Sequence, residues 1–126
     1  MKILGIDPGT TSIGYAVIET APTPVLLTSG LVSIRSMSDA ERLQELYHEL
    51  QKLIKKWGPK LAAIEKLFFA KNVKTAIAVS QARGVAMLTT SLAELKVYEY
   101  TPLEIKKVIT GDGKADKAQV QKMVKV

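Results

Sequence analysis

Three short strand-like segments come before any helix, and this order constrains the fold more than any other feature of the chain. Lys2–Asp7 is an apolar run that ends on a carboxylate. The turn-rich Pro8-Gly9-Thr10-Thr11-Ser12 leads into a second run, Ile13–Glu19. After the breaker Ala21-Pro22-Thr23-Pro24 comes a third, Val25–Ile34, with Gly30 as a candidate bulge. Strands joined by connections this short pair antiparallel, as a meander. A strong helical pattern follows. Ser38 and Glu41 fit a capping box, Leu43, Leu46, Tyr47, Leu50, Leu53, Ile54 and Trp57 recur at helical spacing, and Gly58-Pro59 closes the element. Leu61–Glu65 reads as a fourth strand, Val73–Leu95 as a long helix rich in small residues, and Lys96–Tyr100 as a fifth strand. Thr101-Pro102-Leu103-Glu104 opens a short helix that runs to Gly111-Asp112-Gly113, and Asp116 caps a last one through Val120, Met123 and Val124. The later strands are reached through helices, so the meander is extended into a mixed sheet covered by helices. The apolar pattern is still running at Lys125-Val126 without a stop signal, which reads as a cut end.

At 126 residues this is one domain, with an ordinary content of apolar side chains, 47%. No cysteine is present, so disulfides and thiolate metal sites are excluded, and a reducing cytoplasm is the easier setting. The apolar runs are too short and interrupted for a membrane span, and the first residues enter a strand at once rather than a signal peptide's apolar region. The formal charge of +6 favours a polyanionic partner. Its distribution says more. Between Lys66 and Ala93 stand Lys66, Lys71, Lys74 and Arg83 and no acid, although solvated faces usually mix both signs. From Thr101 onward six lysines face three acids.

Two carboxylates carry the chemistry. Asp7, in Gly5-Ile6-Asp7-Pro8-Gly9-Thr10, closes the first strand, and Glu65 closes the fourth. An acid at a strand end is also an ordinary helix cap or loop start, so neither residue says much alone. Together they say more: if the first and fourth strands are parallel neighbours, both acids emerge at one edge. Paired carboxylates repel, and a divalent cation relieves that repulsion. The first motif also resembles the phosphate-binding turn of the actin-like ATPase and sugar kinase superfamily. Those proteins need two such domains to enclose ATP, and 126 residues provide one.

The remaining motifs resemble, in order, those of the RuvC family of Holliday-junction resolvases. They are Glu65-Lys66-Leu67-Phe68-Phe69-Ala70-Lys71-Asn72, Gln81-Ala82-Arg83-Gly84-Val85, Tyr98-Glu99-Tyr100, Gly111-Asp112-Gly113 and Lys117-Ala118-Gln119-Val120-Gln121-Lys122-Met123-Val124. The resemblance covers essentially the whole chain. It implies a ribonuclease H-like α/β fold: a mixed five-stranded sheet with helices on both faces. It implies a homodimer that cuts opposed strands of a four-way DNA junction with Mg²⁺ (Mn²⁺ being tolerated), beside a branch-migration helicase complex. By position, Asp7 and Glu65 are the metal-binding catalytic residues, Phe68 stacks on bases at the junction, and Lys106 and Lys117 lie near the DNA strand. Phe69, Lys71, Lys74, Arg83, Lys107 and Lys114 join the expected DNA-binding set. The family's last helix carries two further aspartates, which this chain does not reach; Asp112 and Asp116 match its flexible loop instead.

Hydrolysis by two metals needs ions about 3.5–4 Å apart, held by several carboxylates. With two acids in hand, the expectation is one weak Mg²⁺ site, junction binding with strong salt dependence, and slow cutting. Three readings stand: a junction-resolving nuclease, a junction-binding module that does not cut, and a ribonuclease H-like nuclease acting on RNA. The Phe68 loop and the Gln81-Ala82-Arg83-Gly84 signature speak against the third. Arg83 could instead pair across a dimer interface, for which the small residues Ala76, Ala78, Ala82, Gly84 and Ala86 leave room. Tyr47 and Trp57 are expected in the core, and His48 at the surface or half-buried on its helix, without a role.

Overall fold

The computed structural model describes residues 1–9, 12–66 and 73–100. They form β1 (Lys2–Asp7), β2 (Ser12–Glu19), β3 (Val25–Ser33), α1 (Asp39–Trp57), β4 (Leu61–Glu65), α2 (Val73–Leu92) and β5 (Lys96–Tyr100). The five strands make one mixed sheet in the order β3-β2-β1-β4-β5, with β1, β4 and β5 parallel and β2 antiparallel to both its neighbours. From β3 through α1 to β4, and from β4 through α2 to β5, the chain advances the same way across the sheet. Right-handed crossovers in one direction put their helices on one face. The core agrees: Leu46 and Leu50 of α1 and Ala82 and Ala86 of α2 meet Leu4, Ile6, Ile13, Val17 and Ile64 from the strands. Each large side chain buried there contributes about 1.5–3 kcal/mol. The helices expected beyond Tyr100 lie outside the described residues.

The ends of α1 follow their sequence signals. The Ser38 hydroxyl accepts the Glu41 N–H at 3.2 Å, and Gly58 takes the left-handed conformation (φ 60°), its N–H donating to the Ile54 carbonyl. Glu45 fastens the preceding connection. One carboxylate oxygen accepts the Arg35 N–H at 2.8 Å, the Ser36 N–H at 3.3 Å and the Ser36 hydroxyl at 3.4 Å. These bonds, the Arg35 N–H first, hold the Glu45 carboxyl below its usual pKa.

Three sequence expectations are corrected. The long helix stops at Leu92 rather than Leu95. Glu94 adopts φ 64°, its N–H donates to the Ser91 carbonyl, and the N–H of buried Leu95 donates to the Thr90 carbonyl. This is a Schellman ending with a non-glycine residue at its left-handed position, so no glycine announces it. Gly30 is no bulge: it pairs regularly with Tyr15, and the register shift falls between Val17 and Ile18. A Cβ at Gly30 would come within 2.9 Å of the Tyr15 hydroxyl oxygen, so the ring occupies the space this glycine leaves. Tyr47 stays outside the core, its hydroxyl accepting from Gln51 at 2.8 Å, while Trp57 packs against the core's rim and His48 is exposed. Among the described residues no helix is long and apolar enough to cross a membrane.

Candidate active site

Side chains alternate across a strand, so each strand contributes to two different surfaces. Leu4 and Ile6 of β1 and Ala62 and Ile64 of β4 are buried toward the helices. Gly5, Asp7, Ala63 and Glu65 therefore point to the other face. The parallel register pairs Ile6 with Ile64, which sets Asp7 beside Glu65 at the carboxyl ends of neighbouring strands. Adjacent strands put their Cα atoms about 5 Å apart. The juxtaposition expected from the sequence is present. Asp7 is exposed and Glu65 half-buried.

Both acids line a recess of about 580 Å³ on the face away from α1 and α2. Its floor is made of Gly5, Gly14, Ala16 and Ala63, with Leu31 on the β3 side and Tyr100 on the β5 side. A Cβ at Gly14 would lie 3.6 Å from the Asp7 Cβ and 3.8 Å from Leu31 Cδ2, so a side chain there would fill the space beside the carboxylate. At Gly9, just after Asp7, a Cβ would collide with the Ser12 carbonyl oxygen. That glycine lets the turn close. A larger hollow of about 730 Å³ lies between α1 and α2, but no carboxylate lines it.

Two oxygen donors on adjacent strand ends suit a hard divalent cation. Among the described residues no cluster of three or more such ligands occurs, so these two acids are the anionic part of the site that the fold visibly assembles.

The other residues singled out from the sequence fall into three groups. Phe68, Phe69, Lys71, Lys106, Lys107, Lys114 and Lys117 lie outside the described residues. Lys74 is exposed in the first turn of α2, which starts at the end of the sheet where β4 stops. Arg83 is not brought to the site. It pairs with Glu99 of β5 on the helix-covered face, with its side chain 19% exposed. Its buried Nε finds no hydrogen-bond partner among the described residues. The pair ties α2 to β5 within the chain. Tyr100, although part of the Tyr98-Glu99-Tyr100 motif, and the small-residue floor were not assigned to the site from the sequence, because doing so requires the pairing of strands far apart in the chain.

A family model described as crossover junction endodeoxyribonuclease RuvC matches residues 3–126. The crossover junction endodeoxyribonuclease RuvC of Thermosipho melanesiensis is 49% identical over all of this chain and 82% of its own length. This chain belongs to the RuvC family. The solved structure of Thermus thermophilus RuvC in complex with a Holliday junction substrate superimposes with a TM-score of 0.90 at 29% identity, over 99% of this chain and 78% of that one. The yeast mitochondrial resolvase Ydc2 shares the fold, with a TM-score of 0.70 at 13% identity. The ribonuclease H-like arrangement and the mixed five-stranded sheet are thus those of RuvC, a family of metal-dependent nucleases.

Proposed function

We propose that this RuvC-family chain provides the nuclease domain of a Holliday-junction resolvase, with Asp7 and Glu65 holding Mg²⁺ at the site of phosphodiester hydrolysis. The observation that carries the assignment is the register of β1 on β4, which sets these carboxylates side by side at one sheet edge. Bound there, a divalent cation supplies Lewis-acid polarisation of the phosphate and lowers the pKa of a bound water. Asp7 stands at the exposed end of the central strand β1. Glu65 approaches from the neighbouring strand. The shallow floor of Gly5, Gly14 and Ala63 leaves room for a phosphodiester above them.

Binding rests on basic residues: phosphate contacts made by Lys71, Lys74, Lys106, Lys107, Lys114 and Lys117 release counterions and give affinity that falls steeply with salt. Phe68, with Phe69 beside it, supplies a stacking surface for unpaired bases. Two opposed strands are cut by two sites related by a two-fold axis, so the active form is a homodimer. Support for this comes from α2, where Val73, Ile77, Leu88 and Leu92 are exposed along one side and a Cβ at Gly84 would meet nothing within 4 Å. A branch-migration helicase complex is the partner expected to deliver junctions.

The test is a synthetic four-way junction with labelled arms. Mg²⁺ should support paired symmetrical nicks. Asp7→Asn and Glu65→Gln should bind the junction but not cut it, and sedimentation should give a dimer. A folded protein that binds the junction and never cuts it, with any divalent metal, would leave the non-cleaving module as the reading. Cutting of RNA in preference to DNA junctions would favour the RNA-directed one.

A further inference from the structure

The carboxylates at the recess carry charge but have no means of choosing which phosphate along a strand comes to rest over them. Something beside them must fix the position of the nucleic acid. The floor offers little grip, since Gly5, Gly14, Ala16 and Ala63 present no long side chain. Two large side chains stand at its flanks: Leu31 toward β3 and Tyr100 toward β5. Leu31 pairs with Gly14, one strand removed from Asp7, whereas Tyr100 pairs directly with Glu65 in the parallel ladder. Residues paired in that ladder share a face, so the ring stands on the same side as the Glu65 carboxylate. It is 41% exposed.

The end of β5 is held on both sides. The Tyr100 carbonyl accepts the Lys66 N–H at 2.6 Å, one residue past Glu65. Glu99 turns to the opposite face and is tied to Arg83 of α2. An edge strand otherwise held by one neighbouring strand is therefore clamped where it carries the aromatic ring. The Gln81-Ala82-Arg83-Gly84 signature thereby gains a physical role, because its arginine anchors the strand that bears Tyr100.

We propose that Tyr100 is a substrate-positioning residue: its ring packs against the sugar and base of the nucleotide next to the scissile phosphate and sets which phosphodiester meets the metal-holding carboxylates. The idea rests on the assignment of Asp7 and Glu65 above. A planar aromatic face suits this role because every nucleotide offers a stacking surface whatever its base.

The test uses the full chain on a junction end-labelled on each strand, with cut positions mapped to the nucleotide and rates measured in single turnover. Tyr100→Thr keeps a strand-forming residue on the edge, so the fold survives the change. It should lower the cleavage rate by about ten- to a hundredfold, as expected when a reacting group is displaced by about 1 Å. The cuts should also spread to neighbouring phosphodiesters while affinity for uncut junction holds. Tyr100→Phe, which retains the ring, should cut at the parental position and rate. A merely structural role would lower the melting temperature and leave cut positions where they were. Parental position and rate in Tyr100→Thr overturn the inference, as does spreading equally wide in Tyr100→Phe. Asp7→Asn separates the two levels. If it abolishes cutting while Tyr100→Thr changes nothing, only the tyrosine's role fails; if it cuts normally, the carboxylate assignment fails first.

Discussion

The same strands build two unlike surfaces. Toward α1 and α2 they present Leu4, Ile6, Ile13, Val17 and Ile64, all nearly or fully buried. Toward the opposite face β1, β2 and β4 present Gly5, Gly14, Ala16 and Ala63, and two acids stand at their shared edge. Large side chains on one face exclude water and hold the sheet rigid; small ones on the other leave space and expose charge. Stability is concentrated on the first surface and chemistry on the second, although neighbouring residues along each strand belong to different ones.

The sharpest way to break this division is to change one residue on each face and measure both properties. Asp7→Asn should lower junction cleavage by at least about 10³-fold, as loss of one member of a cooperating catalytic set does. Its melting temperature should stay close to the parent's, because Asp7 is exposed. A large drop in melting temperature would show that the open face also carries the fold. On the covered face, Leu50→Ala removes a fully buried side chain and should cost about 2–5 kcal/mol in denaturant unfolding. Cleavage per folded molecule should be unchanged. If that variant folds stably but cuts poorly, the two surfaces are coupled more tightly than their alternation implies.

A finer test lies on the floor of the recess. Gly14→Ala adds a methyl at ordinary contact distance from Asp7 and Leu31, so stability should change by less than about 0.5 kcal/mol. The Mg²⁺ concentration for half-maximal cleavage should rise, since the space beside the carboxylate narrows. An unchanged metal requirement would mean that the cation sits away from that side of Asp7. The smallest effect is expected far from the recess. Glu45 is held below its usual pKa by the Arg35 and Ser36 N–H groups, so its contribution to stability is present above the ordinary carboxylate pKa, about 4.3, and is lost as pH falls through the lowered value. Glu45→Gln should therefore weaken the protein slightly at neutral pH and flatten its loss of stability in acid. Urea titrations at pH 7 and pH 3 would show it.

Much of this division could be read from the residues, but unevenly. The ends of α1 were legible because Ser38 and Gly58 act on their own backbone neighbours. The acids were legible because each closes an apolar run. The end of α2 was not: Glu94 takes a conformation that glycine would normally signal, stabilised by bonds to Thr90 and Ser91 together with the burial of Leu95. The partner of Arg83 and the place of Tyr100 also stayed hidden. Both depend on β5 lying beside β4, and no local pattern states which strands are neighbours.

The alternation along β1 has a consequence for how the protein can change in length. Asp7 reaches the recess because an odd number of residues separates it from Gly5 and an even number from Leu4, in a strand pinned on both sides by β2 and β4. Inserting or deleting a single residue between Leu4 and Asp7 would turn the carboxylate into the apolar core and push Ile6 out among the acids. A change of two residues would keep every side chain on its own surface. The Ala21–Pro24 segment between β2 and β3 is under no such rule of parity, so length variation among viable variants should collect there and step in twos, if at all, in β1.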